Sequence, residues 1–220
     1  MKLFNLKKEI FPIFFILVLI VIGIIFYGQL PAQIPTHWGI NGEINGWSSK
    51  NTVAFYMPII YLVLYLFLSF IVFLDPLKKN IEKSYSIYWQ MKFAIILFLS
   101  ALHVLMLNAA MSSVKLPVDK IVIVGTGALF FFLGVLMPKI KRNFFIGIKS
   151  PWTLSSDKVW KKTHEMGMWV FEVIGVATAL SVVFRGEVSF IMMMVFIIGA
   201  VIFLGVYSYL VFRRTKKVDL

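Results

Sequence analysis

The chain has 220 residues, 60% of them hydrophobic, 15% charged and none cysteine, with a formal charge of +12. So apolar a composition belongs to polytopic membrane proteins, since no soluble core of this length could absorb that much apolar surface. The missing cysteines exclude disulfides, Cys-zinc sites and thiol nucleophiles, and they leave the redox compartment open.

Six apolar windows reach or approach the length of about 20 helical residues that crosses a hydrocarbon core of roughly 30 Å. They are Ile10–Leu30, Val53–Leu74, Phe93–Val114, Ile121–Met137, Gly167–Phe184 and Val188–Phe212. Continuous apolar runs argue against a β-barrel, whose strands alternate in polarity. The predicted fold is therefore all-α: a polytopic integral membrane protein with six transmembrane helices.

Before the first span stands KLFNLKKE, which fits the n-region of a signal peptide. The apolar stretch that follows exceeds the usual 7–15 residues, and LPAQ after it lacks a small-x-small cleavage pattern, so the segment reads as an uncleaved anchor. Residues 31–52, PAQIPTHWGINGEINGWSSKNT, form the one sizeable segment at that end. Two Asn-Gly pairs, Asn41-Gly42 and Asn45-Gly46, supply positive-φ positions, and the first closes a hairpin that brings Trp38 and Ile40 near Ile44 and Trp47. Two readings compete for this segment: an interfacial cap anchored by its Trp residues, and a ligand-recognition loop using His37, Trp38 and Trp47. On these boundaries the chain divides into residues 1–52, 53–138 (three spans), a basic loop at 139–166, and 167–220.

The basic residues orient the bundle. Eighteen stand on one face: Lys2, Lys7, Lys8, Lys78, Lys79, Lys83, Lys92, Lys139, Lys141, Arg142, Lys149, Lys158, Lys161, Lys162, Arg213, Arg214, Lys216 and Lys217. Only Lys50, Lys115, Lys120 and Arg185 stand on the other. Basic residues favour the inside, which places both termini in the cytoplasm and makes the net charge topological rather than a sign of direct nucleic-acid binding. The inner loops are drawn to anionic lipid as well.

Polar residues inside the spans are few. Glu172 lies roughly 7–8 Å below Gly167 at 1.5 Å per residue. It follows Lys161, Glu165 and Met168 on one helix face, so it is either the end of a polar stripe or a transport or relay group. His103 falls near the midplane of the third span, as a packing residue or a ligand. It differs in depth from Glu172, so the two are doubtful direct partners. His37 and His164 lie on opposite sides of the membrane, so no metal site is expected. Catalytic signatures and cofactor motifs are absent from the sequence, and no catalytic residue or cofactor is assigned.

The loop from Lys139 to Met166, KIKRNFFIGIKSPWTLSSDKVWKKTHEM, packs seven Lys/Arg beside two Trp and a Pro-Trp turn. Phe144, Phe145, Ile146 and Ile148 are too apolar for a solvated loop and too few for a span, which predicts a segment at the inner interface. Pro151 forces an extended turn before it. Ser156 reads as an N-cap with Asp157 in the first turn, starting a helix that runs through Trp160, His164 and Gly167 into the fifth span and puts Trp160 and His164 on one face.

The order of Asn143, Gly147, Lys149, Pro151, Trp152, Trp160, Thr163 and His164 in NFFIGIKSPWTLSSDKVWKKTHEMG resembles the signature of the SdpI-like immunity proteins against the sporulation-delaying toxin. Residues 30–50, with Leu-Pro, Ile-Pro-x-His and a terminal Ser-Lys, are similar to the small N-terminal domain of many such proteins. Lys149 stands where Arg is usual, Ser150 where Thr is usual and Met168 where a second Gly often stands. A lysine cannot reproduce bidentate Arg geometry. The resemblance implies a plasma-membrane protein that protects a bacterium from a secreted membrane-active peptide toxin. It also implies a receptor that captures a cytoplasmic ArsR-type repressor at the membrane. A proton-coupled transporter using Glu172 and His103, and a membrane enzyme acting on a lipid-linked substrate at the basic loop, are the alternatives.

Overall fold

A computed structural model describes residues 3–112 and 116–216. Lys2, Lys115 and Lys217 of the charge asymmetry, and Val114, the predicted end of the third span, lie outside the described residues. Six helical stretches are long and apolar enough to cross a membrane: Leu6–Phe26, Thr52–Leu74, Tyr85–Met111, Val118–Lys139, Asp157–Val183 and Gly186–Thr215. Their outward faces are strongly apolar, as at Phe11, Phe14, Ile60, Phe67, Val195 and Val201, which is the surface a bilayer covers. The chain is a multi-pass membrane protein.

In chain order the elements are α1 (Leu6–Phe26), strands β1 (Gln33–Trp38) and β2 (Ile44–Ser49), α2 (Met57–Ile71), a short α3 (Lys78–Lys83), α4 (Tyr85–Met111), α5 (Val118–Leu136), a short α6 (Pro151–Ser155), α7 (Asp157–Leu180) and α8 (Gly186–Lys216). Helices α1, α2 and α4 pack together, α5, α7 and α8 form a second group, and α4 meets α5 between them. The α5–α7 seam is close because Gly127 and Gly175 face each other. A Cβ on either would lie 2.5 or 2.6 Å from the other's carbonyl oxygen, the small-residue packing that lets membrane helices approach.

Pro12 sits inside α1 and has no N–H to give the carbonyl of Lys8 one turn earlier. The Trp89 indole Nε1 on α4 donates to that oxygen at 3.0 Å, so the break in one helix becomes a bond to the next. Two helices begin well before their apolar windows. Between Ser84 and Phe93 nothing breaks a helix, so α4 starts at Tyr85 rather than Phe93, and Ser156 caps α7 by accepting from the Val159 N–H. Lys92 is consequently no loop cation. It lies within α4 with its side chain 2% exposed, a correction to its place among the cations that orient the bundle.

The hairpin expected at the first Asn-Gly pair is present. Strands β1 and β2 run antiparallel, with Trp38 opposite Ile44 and Pro35 opposite Trp47. Gly42 holds φ +79° at the tip, the conformation that a side chain disfavours. Gly46 does not take a positive φ. It pairs with His37 inside the ladder, and a Cβ there would lie 2.9 Å from that of His37, so the second Asn-Gly pair serves strand packing rather than a turn.

Candidate functional site

The segment joining α5 to α7 folds into a compact knot. Asn143 is buried, and its carboxamide closes the first turn from inside: Oδ1 accepts the Phe145 and Ile146 N–H groups at 2.9 and 2.7 Å, while Nδ2 donates to the carbonyls of Lys141 and Ile146. Gly147 follows with φ +106°. Then Ser150 and Thr153 cap each other's backbone N–H across the first turn of α6, with Pro151 at its first position. There Pro costs no helical bond. The Thr153 hydroxyl also donates to the Ile148 carbonyl at 2.9 Å.

His164 joins this knot to α7. Its Nε2 accepts the Ile148 N–H at 3.0 Å, so the proton must sit on Nδ1, which donates to the Trp160 carbonyl at 2.9 Å. The Trp160 and His164 rings stack with centroids 4.1 Å apart, and the indole Nε1 donates to the Ile140 carbonyl at 2.8 Å. Ile146 and Ile148 pack against Trp160, Met137 and Ile140. Part of the apolar run predicted for the interface is thus seated on protein, while Phe144 stays 43% exposed.

Four contacts escape the sequence reading. Asp75 accepts the N–H of Leu77 at 2.6 Å and that of Phe144 at 2.8 Å, Asn80 Nδ2 donates to the Arg142 carbonyl at 2.9 Å, and Arg142 Nε pairs with Asp157 at 2.6 Å. The first shapes the turn after α2, and the other three moor the knot to that turn, to α3 and to the start of α7. An Asp-Pro pair ending an apolar run is a legible turn signal; its partner 69 residues on is not.

The remaining candidates scatter. Lys149 is exposed and folds back on the Phe145 carbonyl at 3.1 Å, and half-buried Trp152 lies against Tyr209 of α8. Thr163 is buried with its hydroxyl unpaired among the described residues. Glu172 is half-buried on α7, whereas His103 is buried on α4 against Tyr61 of α2, so the two stand in different helix groups. At the far end of the bundle His37 is exposed and bonds Asn45 at 2.5 Å, Trp38 is half-buried and Trp47 is 54% exposed.

Around the knot the surface is basic. Lys158, Lys162 and Arg214 line a cleft of about 330 Å³ between α7 and α8, with Tyr207 and Thr215 on its walls.

The sequence reading also passed over a buried cluster between α1, α2 and α4. Glu9 is fully buried. Its carboxylate meets Lys92 Nζ at 3.0 and 3.1 Å, accepts the Tyr85 hydroxyl at 2.5 Å and accepts the Tyr65 hydroxyl as well. Lys92 completes its donor set with Ser69 Oγ at 2.8 Å and lies over the rings of Tyr65 and Tyr88. Unbroken helical sequence through YSIYWQMKF was the available clue that Lys92 lies within a span.

Residues 139–208 match the SdpI/YfhL protein family, and residues 14–62 match a domain of unknown function, DUF1648. The chain is 26% identical over 209 residues to Immunity protein SdpI of Bacillus subtilis (strain 168), covering 95% of this chain and 98% of the relative. No solved structure matches.

Proposed function

We propose, from the premise that this chain is an SdpI-like membrane protein, that it gives its cell resistance to a secreted membrane-active peptide. In this reading the protein sits in the cell membrane with both termini in the cytoplasm, the hairpin senses the toxin outside, and residues 139–166 act inside. The observation that carries it is the end-to-end match to an immunity protein, 95% of one chain against 98% of the other. The basic surface of Lys139, Lys141, Arg142, Lys158, Lys161 and Lys162 is the docking face for an ArsR-type repressor, because complementary charge governs encounter and partner choice. The reading needs no catalytic group. A transporter built on His103 and Glu172 is less well supported, since they occupy separate helix groups.

The orientation has a direct check. Cysteines placed singly at Asn45 and Ser156 in this Cys-free chain should react with an impermeant maleimide from outside the cell and only after lysis, respectively. Equal labelling of both in intact cells defeats the topology.

The function is tested by expressing the chain in a toxin-sensitive host and measuring survival beside membrane recruitment of a fluorescent ArsR-type repressor. Survival should rise with the wild type and fall when Ile40–Trp47 is removed. Charge reversal at Lys158, Lys161 and Lys162 should abolish recruitment and leave protection in place. Unchanged killing in cells that demonstrably express the wild-type chain rejects immunity.

A further inference from the structure

A crevice of about 300 Å³ lies beneath the hairpin, walled by Trp38 and Ile40 of the hairpin, Leu105 of α4, Val122 of α5 and Phe190 of α8. Its lining is mostly apolar, with Thr36 and His37 of the hairpin as polar lining residues and Asp119, in the first turn of α5, as the carboxylate among them. That carboxylate has no hydrogen bond or ion pair among the described residues, while the neighbouring Arg185 is already paired with Glu187 at 3.1 Å.

Backbone holds Asp119 in place from two sides. A Cβ on Gly42 would stand 3.2 Å from its Cγ, and one on Gly186 would stand 2.9 Å from its Oδ2. Gly42 is also the hairpin's positive-φ residue. The hairpin tip, fastened by Gly39 and Glu43 backbone bonds and the Asn41–Glu43 side-chain bond at 2.8 Å, therefore closes over the carboxylate without burying it under a side chain.

We infer that this crevice binds a cationic amphipathic segment of a peptide, with a lysine or arginine side chain at Asp119 and adjoining bulky apolar side chains against Trp38, Leu105 and Phe190. An unpaired carboxylate among largely apolar walls, where the nearby His37 ring already has a partner in Asn45, selects a cation, because low-dielectric surroundings strengthen the attraction that water would screen. It disfavours phosphate headgroups and acidic peptides for the same reason, and its volume lies at the lower end of ligand pockets, enough for a few side chains rather than a folded partner. The inference names the ligand chemistry of the proposed toxin sensor and rests on that reading for its biological role.

The test uses the full chain in zwitterionic nanodiscs and two fluorescent probes, acetyl-Leu-Phe-Lys-Phe-Leu-amide and the same peptide with Glu in place of Lys, with empty discs as the partition control. The wild type should bind the lysine probe about tenfold more tightly than the glutamate probe, the size of one charge-assisted contact. Asp119→Asn should erase that preference, and Val122→Trp, which fills the crevice, should weaken binding of both probes. Equal affinity of the wild type and Asp119→Asn for the lysine probe overturns the site. Survival assays on the same variants separate the two claims. A wild type that protects while Asp119→Asn protects equally removes the crevice's role in toxin sensing and leaves immunity standing. A wild type that binds in an Asp119-dependent way and gives no protection removes immunity and leaves the site.

Discussion

Lys92→Met is expected to destabilise the protein by about 3–5 kcal/mol, because it strands the Glu9 carboxylate in a buried site with only tyrosine hydroxyls to hold it. Glu9 and Lys92 are each almost fully buried, and the ammonium contributes two of the carboxylate's contacts besides its bond to Ser69. Removing the partner leaves an uncompensated charge, and within a membrane helix no water is at hand to solvate it. The double variant Glu9→Gln/Lys92→Met should recover more than half of the loss, since a neutral carboxamide offers its oxygen to one of the two tyrosine hydroxyls and donates its NH2 to the other. Denaturant titration in mixed micelles, run on both single variants and the double, measures the coupling. Additive losses would show that the pair is held by packing alone and that charge plays no part in joining α1, α2 and α4.

That cluster also marks the limit of what the sequence discloses. Apolar run length reveals the six spans, because a lipid-crossing helix must satisfy its own backbone and has no other local solution. The Ser156 cap and the Trp160–His164 spacing are local too, and both are as the sequence predicts. Lys92 misleads for the opposite reason. Counting cations by distance from an apolar window treats charge as a mark of the water phase, whereas this one is neutralised by a residue 83 positions away. Nothing local encodes Asp75 reaching Phe144, or Asp119 lying between Gly42 and Gly186, since each depends on how separate helices meet. The signature motif was recognisable as a pattern, but the reason for its residues, a glycine that makes room for a histidine, becomes visible only in three dimensions.

Gly147→Ala is expected to break the knot between α5 and α7, and its cost can be divided by a second substitution. At φ +106° a Cβ brings strain of about 1–2 kcal/mol. That Cβ would also stand 2.3 Å from His164 Nε2 and 3.2 Å from the Trp160 ring, so the imidazole must leave the Ile148 N–H it now receives at 3.0 Å. A buried donor left without a partner adds about 1–3 kcal/mol. In a His164→Ala background the overlap is gone and the Ile148 bond is already lost, so Gly147→Ala should then cost little beyond its backbone strain. The expected result is strong non-additivity: the double variant is more stable than the sum of the two single losses predicts, by at least about 1 kcal/mol, as for residues in direct contact. Thermal unfolding of the four proteins in detergent, followed by tryptophan fluorescence because Trp160 stacks on the ring in question, supplies the cycle. Strict additivity would mean that Gly147 and His164 act independently. The signature would then be a set of separate surface contacts, whereas non-additivity identifies it as one folded unit presenting its basic face as a whole.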